Sequence, residues 1–326
     1  MANYCIGCDL GGTNLRAAIV DTKNGTVVSL RSVPTMAREG QDSVVERMCC
    51  LIRDLVAECH LSFENVEGIG IGIPGTVDLE QGIVHFLPNF PGNWPNVPLA
   101  DSIAAKTGLP VFLLNDVRSI TFGEWKCGAG KGAGTMACFA IGTGIGGGLV
   151  INNQLHLGRG GTAGELGHQT VDINGPLCGC GNRGCVEVFA SGPAIAAMGM
   201  RAVKQGLTTR IGNMCNYDLN QITPEMVCKA AWDGDKIARG IFKTAGSYLG
   251  IAVANILVAI SPDRVVIGGG VAQAGDLLFA PIRQIIRERV FMIPKDEVEI
   301  VRAKLGDRAG VIGSAMWAKE QLGRAK

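Results

Sequence analysis

The chain has 326 residues, of which 30 are Lys or Arg and 29 are Asp or Glu, so its formal net charge at pH 7 is +1. A chain with this balance has no excess of positive charge to attract nucleic acid or an anionic membrane, and neither is an expected partner. The N-terminus lacks a basic segment followed by a long apolar run, and the twelve cysteines suit a reducing compartment, which predicts a cytoplasmic protein. The length predicts two compact α/β domains.

The first part of the chain predicts a hairpin followed by alternating helices and strands. Residues 4–21 have the pattern of two strands joined by a glycine turn, and Asn24-Gly25 begins a third strand. Apolar residues at helical spacing predict a helix over 43–60, and a buried strand over 66–73 runs into a turn at Gly75.

A helix over 99–107 then leads into a strand over 111–114, which stops at Asn115-Asp116. In open α/β sheets the carboxyl ends of the strands face the ligand. We therefore expect Gly75 and Asn115-Asp116 to lie near each other.

The strand, glycine turn, strand pattern returns over residues 136–153, with Asn152-Asn153 as the next turn. Two copies about 130 residues apart suggest a duplicated fold whose halves face each other across a cleft. The second half continues with predicted helices over 191–206 and 223–260 and a strand over 264–271. The apolar stretch 249–260 is too short to span a bilayer and predicts a buried helix. A closing helix over 309–322 is expected to pack back on the first domain.

The two glycine turns offer backbone N–H groups and a threonine hydroxyl each, which is typical of a phosphate-binding nest. They comprise Gly11-Gly12-Thr13 and Gly142-Thr143-Gly144. Neither is a Walker A motif, and ordinary hairpins also use glycine. Asp9, beside the first turn, is placed either to hold Mg²⁺ or to cap the turn.

Cysteine, histidine and glutamate are concentrated between residues 165 and 187. Three thiols and an imidazole form the ligand set of a closed, structural zinc site, at Cys178, Cys180, Cys185 and His168. His156 is the alternative fourth ligand. Glu165 and Glu187, close to these ligands, are acceptors suited to a polyhydroxylated molecule.

The remaining cysteines have no such grouping with histidine and are expected to be small buried hydrophobic residues. They are Cys5, Cys8, Cys49, Cys50, Cys59, Cys127, Cys138, Cys215 and Cys228.

Five motifs together resemble the ROK family (repressors, open reading frames and kinases) of the actin-like ATPase superfamily. They are residues 9–21, 114–117, 142–148, 164–168 and 178–187. Within this family the chain is most similar to bacterial ATP-dependent glucokinases. The resemblance implies an α/β fold of duplicated actin-like (ribonuclease H-like) domains flanking a cleft, with a structural zinc site. The implied domains are 1–115, with the closing helix about 309–326 packed on it, and 116–308.

The resemblance also implies the chemistry, which is phosphorylation of a hexose by ATP with Mg²⁺, glucose being the expected sugar. Asp116 is then the general base that takes the proton of the sugar 6-hydroxyl. The implied sugar-binding residues are Gly75, Asn89, Asn115, Asp116, Glu165, His168 and Glu187. The implied ATP-binding residues are Asp9, Gly11, Gly12, Thr13, Thr143, Gly144, Gly269 and Gly270.

Several alternatives stay open in the sequence. The sugar could be allose, fructose, N-acetylmannosamine or N-acetylglucosamine, and the donor ATP or polyphosphate. Asn14 stands where many relatives have lysine, and Arg16 is a candidate to replace that charge. A sugar-responsive regulator is the alternative from another class, although only about eight residues precede Asp9, too few for a helix-turn-helix module. By analogy we expect a homo-oligomer, a dimer or tetramer.

Overall fold

The computed structural model describes residues 4–88 and 90–324. The chain divides into two compact units. The first comprises Met1–Ala133, Gly148–Gly164 and Lys304–Lys326, and the second comprises Gly134–Gly147 and Glu165–Ala303. The domains that the family resemblance implies, 1–115 and 116–308, have other boundaries than these compact units and stay a prediction.

The first unit is built on a five-stranded sheet with a small hairpin beside it. Its strands are β1 (Tyr4–Leu10), β2 (Asn14–Asp21), β3 (Thr26–Pro34), β4 (Val66–Ile73), β5 (Thr76–Asp78), β6 (Ile83–Phe86) and β7 (Val111–Asn115). The strand order is β3-β2-β1-β4-β7, and β5 pairs with β6. Strands β1, β2 and β3 are antiparallel neighbours, whereas β1, β4 and β7 are parallel.

Three helices follow strands of this unit. Two of them confirm the helices predicted over 43–60 and 99–107, whereas the third, which begins at Asp116, has no counterpart in the sequence predictions. The three helices are α1 (Gln41–Glu58), α2 (Leu99–Thr107) and α3 (Asp116–Cys127). One face of α1, including Val44, Met48, Ile52 and Leu55, is buried in the same core as Ile6 of β1. This shared apolar core stabilises α1 on the sheet.

A second five-stranded sheet repeats this strand arrangement. Its strands are β8 (Met136–Ile141), β9 (Ile145–Ile151), β10 (Gln154–His156), β11 (Arg264–Gly268) and β12 (Glu299–Arg302), in the order β10-β9-β8-β11-β12. Strand β11 is parallel to both β8 and β12. The repeat that the sequence predicts is therefore present in the topology of the two sheets.

The second unit contains six helices in its described residues. They are α4 (Glu187–Ala190), α5 (Gly192–Lys204), α6 (Arg210–Met214), α7 (Pro224–Trp232), α8 (Lys236–Ile260) and α9 (Asp276–Arg289). The single predicted helix over 223–260 is wrong. Gly234 has a φ of +93°, and the Asp235 side chain accepts a hydrogen bond from the Ala238 N–H, so a new helix begins there.

Helix α8 is a core helix of the second unit, as expected for the apolar stretch within it. With 25 residues, it is the one helix in the described residues with the length and composition to cross a membrane. Twelve of its residues are buried within the protein, among them Phe242, Leu249 and Leu257. Such burial explains its apolar composition without a membrane.

The chain ends with α10 (Ala309–Arg324), which confirms the predicted closing helix. It lies against β1 and β4 of the first unit. The indole Nε1 of Trp317 donates a hydrogen bond to the Leu113 carbonyl at 3.1 Å, which joins the helix to β7 as well.

The nine cysteines outside the cluster do not all behave as predicted. Five are buried: Cys5, Cys8, Cys49, Cys138 and Cys215. Cys59, Cys127 and Cys228 are half-buried, and for Cys50 the prediction is wrong because its side chain lies on the exposed face of α1.

Candidate functional site

Polar residues of the first unit gather where its parallel strands end. Asp9 is the penultimate residue of β1, Gly75 follows β4, and Asn115-Asp116 stand at the end of β7. Because β1, β4 and β7 are parallel, all of these residues lie at one edge of the sheet.

The expected proximity of Gly75 and Asn115 is confirmed by a hydrogen bond. The Asn115 Nδ2 donates to the Gly75 carbonyl at 3.2 Å. Its Oδ1 accepts from the N–H groups of Val117 and Arg118, so Asn115 is also the N-cap of α3. This side chain therefore fixes the turn after β4 relative to the start of α3.

Asp116 is the first residue of α3, and its half-buried carboxylate accepts from the Val117 N–H at 2.9 Å. A carboxylate in the first turn is favoured by the partial positive charge at a helix N-terminus. Asp116 also acts on Asp9: burial, and then the Asp116 charge, raise the pKa of Asp9 to about 6 from its ordinary 3.8.

Arg16 lies opposite Asp9 on β2 and counteracts this effect. Its positive charge lowers the pKa of Asp9, although less than burial and Asp116 raise it. The guanidinium also donates to the Asp307 carbonyl at 3.2 Å, which holds it beside the sheet edge. Arg16 is thus a cation close to Asp9, whereas Asn14 is exposed at the start of β2.

The backbone of α10 also approaches Asp9. A Cβ atom built on Gly310 would lie 3.3 Å from the carboxyl carbon of Asp9, so a side chain at the second residue of this helix would crowd the carboxylate. The N-terminus of a 16-residue helix therefore faces a carboxylate, which is the favourable direction for its dipole.

The first glycine turn lies between β1 and β2. The Gly11 N–H donates to the Asn14 carbonyl at 3.0 Å, and the Gly11 carbonyl accepts from the Thr35 hydroxyl at 2.6 Å. Gly12 is half-buried and Thr13 is exposed. The turn thus has a fixed backbone and an accessible hydroxyl.

The second glycine turn lies between β8 and β9 and has the same character. The Gly142 N–H donates to the Gly144 carbonyl at 2.9 Å, and Thr143 is exposed. The Gly142 carbonyl accepts from the N–H of Gly192, the first residue of α5. A helix N-terminus therefore lies beside this turn, and such termini attract anions.

Glu187 connects this turn to the cysteine cluster. Its Oε2 accepts from the Ile145 N–H at 2.8 Å, and its Oε1 lies 3.6 Å from the Cys178 Sγ. A Cβ atom on Gly144 would lie 2.5 Å from the Glu187 Oε2, so only glycine fits there without moving the carboxylate.

The structure brings together His168, Cys178, Cys180 and Cys185. Their ligand atoms all lie within 4.8 Å of one another. The His168 Nδ1 is 3.7 Å from the Cys178 Sγ, and the sulfurs of Cys180 and Cys185 are also 3.7 Å apart. Tetrahedral zinc with sulfur at about 2.3 Å separates its ligand atoms by roughly 3.8 Å, so this group fits that metal.

The thiols of this cluster differ in acidity without a metal. Burial raises the pKa of Cys185 to about 12 and also raises that of Cys178. A hydrogen bond from the Asn182 backbone lowers the pKa of Cys180. Three neighbouring thiolates are therefore unfavourable without a cation, and a bound zinc ion would displace their protons.

Glu165 directly precedes the short helix Leu166–His168 and is exposed. At the end of β11, Gly269 has a φ of +84° and closely approaches Ile141, with Gly270 next to it. Asn89 lies outside the described residues.

A cavity of about 410 Å³ borders Gly270 within the second unit. Its lining is mainly apolar and includes Trp232, Phe242 and Val271. The sequence analysis did not identify these residues, because the local sequence around Trp232 does not differ from that of a tryptophan that lines no cavity.

Sequence reasoning also missed Arg118, which is 2% exposed. Its Nη1 donates to the Asn115 Oδ1 at 2.8 Å, and its other nitrogens donate to the carbonyls of Thr162 and Ala163. The sequence indicates its role only through its position three residues after the helix cap Asn115, and many arginines occupy such a position without a structural role.

Comparison with known proteins finds glucokinases that are similar to this chain over nearly its whole length. The glucokinase of Thermotoga maritima is 36% identical, with 98% of each chain covered. The structure of a ROK family glucokinase from Streptomyces griseus, in complex with glucose and AMPPNP, has a TM-score of 0.82 at 32% identity and covers 97% of this chain and 99% of that one.

Regulators are also among the relatives. A ROK family transcriptional regulator, a homologue of the Escherichia coli MLC protein, has a TM-score of 0.87 at 30% identity and covers 99% of this chain and 79% of that one. The model of the ROK family matches residues 5–321. With this match and full-length relatives above 30% identity, the chain belongs to the ROK family.

Proposed function

We propose that this protein is an ATP-dependent hexose kinase that transfers the γ-phosphate of ATP to the 6-hydroxyl of glucose. The observation that carries the proposal is the pair Asp9 and Asp116, which stand at the carboxyl ends of the parallel strands β1 and β7 at one sheet edge. Burial, and then the charge of Asp116, raise the pKa of Asp9. A phosphoryl-transfer site needs such a pair, with one carboxylate for the metal ion and one for the proton. The full-length similarity to glucokinases supports the choice of sugar.

In the proposed reaction, Asp116 accepts the proton of the 6-hydroxyl while that oxygen forms a bond to the γ-phosphorus. The bond between the γ-phosphorus and the bridging oxygen breaks, and ADP leaves with the electron pair. Asp116 is suited to this step because its carboxylate is half-buried and held at a helix N-terminus. The expected product is glucose 6-phosphate.

Asp9 would hold Mg²⁺, which neutralises the phosphate charge in such transfers. Its raised pKa fits this assignment, because a bound cation would offset both the burial of the carboxylate and its repulsion by Asp116. Arg16 lies opposite Asp9 on β2 and supplies positive charge there.

The glycine turns are the proposed phosphate contacts: Gly11, Gly12 and Thr13 in the first unit, and Thr143 and Gly144 in the second. Gly269 and Gly270 are the proposed adenosine-side turn. The apolar cavity beside Gly270, with Trp232 at its edge, fits a purine base. The repeated sheet topology supports a duplicated actin-like fold.

The proposed sugar-binding residues are Gly75, Asn89, Asn115, Asp116, Glu165, His168 and Glu187. Zinc bound by His168, Cys178, Cys180 and Cys185 would fix the imidazole of His168 and the loop that leads from Cys185 to Glu187. We further propose a cytoplasmic homo-oligomer.

Turnover with a panel of hexoses tests the activity and the substrate together. Glucose, mannose, fructose, allose, N-acetylglucosamine and N-acetylmannosamine are assayed with ATP and then with polyphosphate. We expect the highest kcat/KM with glucose and ATP. A higher value for another sugar or donor corrects the substrate, and no turnover with any pair overturns the kinase assignment.

The base is tested by Asp116→Asn, which keeps the shape of the side chain. We expect turnover to fall at least a thousandfold, about the upper range for a general base, while glucose binding stays measurable by calorimetry. Asp54→Asn, an exposed surface carboxylate on α1, is the matched control. Near-normal turnover of the Asp116 variant would exclude its role as base.

A second candidate function is a sugar-responsive regulator, favoured by the high TM-score with the ROK transcriptional regulator. A gel-shift assay against promoter DNA, with and without glucose, separates the two. Sugar-dependent DNA binding without turnover would favour the regulator.

A further inference from the structure

Arg118 carries a buried positive charge that the proposed reaction does not use directly. Hydrogen bonds to three oxygens hold its guanidinium: Nη1 donates to the Asn115 Oδ1 at 2.8 Å, Nε and Nη2 donate to the Ala163 carbonyl at 3.0 and 2.8 Å, and Nη2 also donates to the Thr162 carbonyl at 3.0 Å. A single side chain therefore joins two segments that are 45 residues apart in sequence.

Both of these segments lead directly to residues of the proposed sugar site. Asn115 caps α3, and Asp116 is the first residue of that helix. Ala163 lies two residues before Glu165. The guanidinium thus fixes the backbone on the approach to each of these two carboxylates.

The segment 157–163 needs such an external tether. It contains only a short helical turn at Arg159–Gly161, and its glycines Gly158, Gly160 and Gly161 all have positive φ angles. Little internal hydrogen bonding restrains it, apart from the Ala163 N–H to the Leu157 carbonyl at 2.9 Å and the Thr162 hydroxyl to the Arg159 carbonyl at 3.0 Å. Without Arg118, the carbonyls of Thr162 and Ala163 would lose their donor, and a segment rich in glycine would gain freedom.

We infer that Arg118 is a positioning residue, which sets the geometry of the sugar site by holding Asn115 and the Thr162-Ala163 carbonyls in one rigid arrangement. The expected effect of Arg118 on catalysis rests on the proposed function. Its expected effect on the backbone of segment 157–163 does not. Lysine cannot replace it, since a single ammonium lacks the planar fork that reaches three oxygens at once.

The test compares Arg118→Lys, which keeps the charge, with Arg118→Met, which removes it. For Arg118→Lys we expect the KM for glucose to rise and kcat to fall, each about tenfold, because displacement of reacting groups by about 1 Å costs on the order of a hundredfold. The KM for ATP should change less than twofold. In Arg118→Met the KM for glucose and kcat should change at least as much as in Arg118→Lys, because both variants lack the planar guanidinium that makes these hydrogen bonds.

Hydrogen exchange provides a readout that does not depend on activity. Peptides covering 157–165 should exchange at least tenfold faster in Arg118→Lys, while peptides of α8 keep the exchange rate of the wild type. The matched control is Arg239→Lys, since the Arg239 Nε donates to the Ala231 carbonyl at 2.9 Å in the other unit. It should change neither glucose kinetics nor exchange in 157–165.

The outcomes separate the inference from the proposed function. If the wild type has no kinase activity but 157–165 loses protection in the variants, the proposed function fails and the tether is supported. An unchanged glucose KM, an unchanged exchange rate in 157–165, or an equal loss of protection in α8 would each overturn the inference.

Should both variants fail to fold, nitrogen-15 arginine labelling of the wild type replaces them. The Arg118 Nε–H is expected to exchange at least a hundredfold more slowly than that of the exposed Arg31. An equally fast exchange of the two would overturn the inference.

Discussion

The Glu124 carboxylate accepts a hydrogen bond from the Leu305 N–H at 2.7 Å, across 181 residues of sequence. The same fully buried carboxylate accepts from the N–H groups of Lys304 and Ala129, at 3.0 and 2.8 Å. Ala129 stands near Ala133, where the chain first leaves the first unit, and Lys304 is where it returns for the second and last time. One side chain of α3 therefore fixes both the departing and the returning chain.

The substitution Glu124→Gln should lower the free energy of unfolding by about 2 to 4 kcal/mol, because an amide NH₂ would face backbone donors in a buried site. Urea unfolding measures this difference. Glu320→Gln is the control, since its partially exposed pairs with Lys126 and Arg324 should contribute less than about 1 kcal/mol. Equal effects of the two substitutions would contradict the role of Glu124.

The pKa of Asp9 predicts a pH dependence of stability without Mg²⁺. Since burial and Asp116 raise this pKa to about 6 from an ordinary 3.8, the folded protein prefers the neutral form. The stabilisation is complete below about pH 4 and is lost as the pH rises through 6. Asp9→Asn should therefore raise the free energy of unfolding at pH 8, by about 1 to 3 kcal/mol, and have little effect at pH 4. An equal gain at both pH values would show that the charge of Asp9 is not the cause.

Mg²⁺ should compete with the proton on Asp9. We expect the stabilisation by MgATP, measured as a rise in Tm, to decrease as the pH falls through 6 in the wild type. In Asp9→Asn the Mg²⁺-dependent part should be absent at every pH. A wild-type rise that stays constant from pH 8 to 5 would contradict the assignment of Asp9 to the metal.

Removal of one thiolate tests the zinc cluster. In Cys180→Ser we expect zinc to be lost, as measured by elemental analysis, and the KM for glucose to rise by about tenfold to a hundredfold, because His168 loses its metal bond and Glu187 lies two residues after the ligand Cys185. Cys50→Ser, at an exposed cysteine, should retain both zinc and KM. Loss of zinc with an unchanged KM would separate the metal from the sugar site.

The tight contact at the second glycine turn predicts a selective defect. In Gly144→Ala the new methyl group would lie 2.5 Å from the Glu187 Oε2, so the turn or the carboxylate must shift. We expect at least a tenfold loss of kcat/KM for ATP, measured at saturating glucose. Gly240→Ala in α8, where the methyl group meets nothing within 4 Å, should instead keep activity and stabilise the helix by roughly 0.5 to 1 kcal/mol. Equal activity of both variants would contradict the constraint at Gly144.

The sequence was sufficient to predict the features that depend on local patterns. The hairpins around Gly11 and Gly142, helix α1, and the cysteine cluster all follow from spacing within 20 residues or fewer, and the structure confirms their positions. The contact between Gly75 and Asn115 could also be predicted, since parallel strands end at one edge.

The features that could not be predicted depend on distant partners. Arg118 and Glu124 resemble surface residues of an amphipathic helix, and their partners are 45 and 181 residues away. The break between α7 and α8 was missed because Asp233, Gly234 and Asp235 interrupt a strong apolar period only briefly. Edge strand β12 is short and half-exposed, so its pattern was too weak to identify.

Glu187 accepts a hydrogen bond from Ile145 in one glycine turn and lies against Cys178 of the cluster. In the proposed site, a substitution of Glu187 that accommodates a different sugar would also remove the acceptor of the Ile145 N–H, next to Gly144. The proposed function therefore predicts that a change at this residue alters the affinities for sugar and ATP together, so that a change in one alone has to come from substitutions elsewhere.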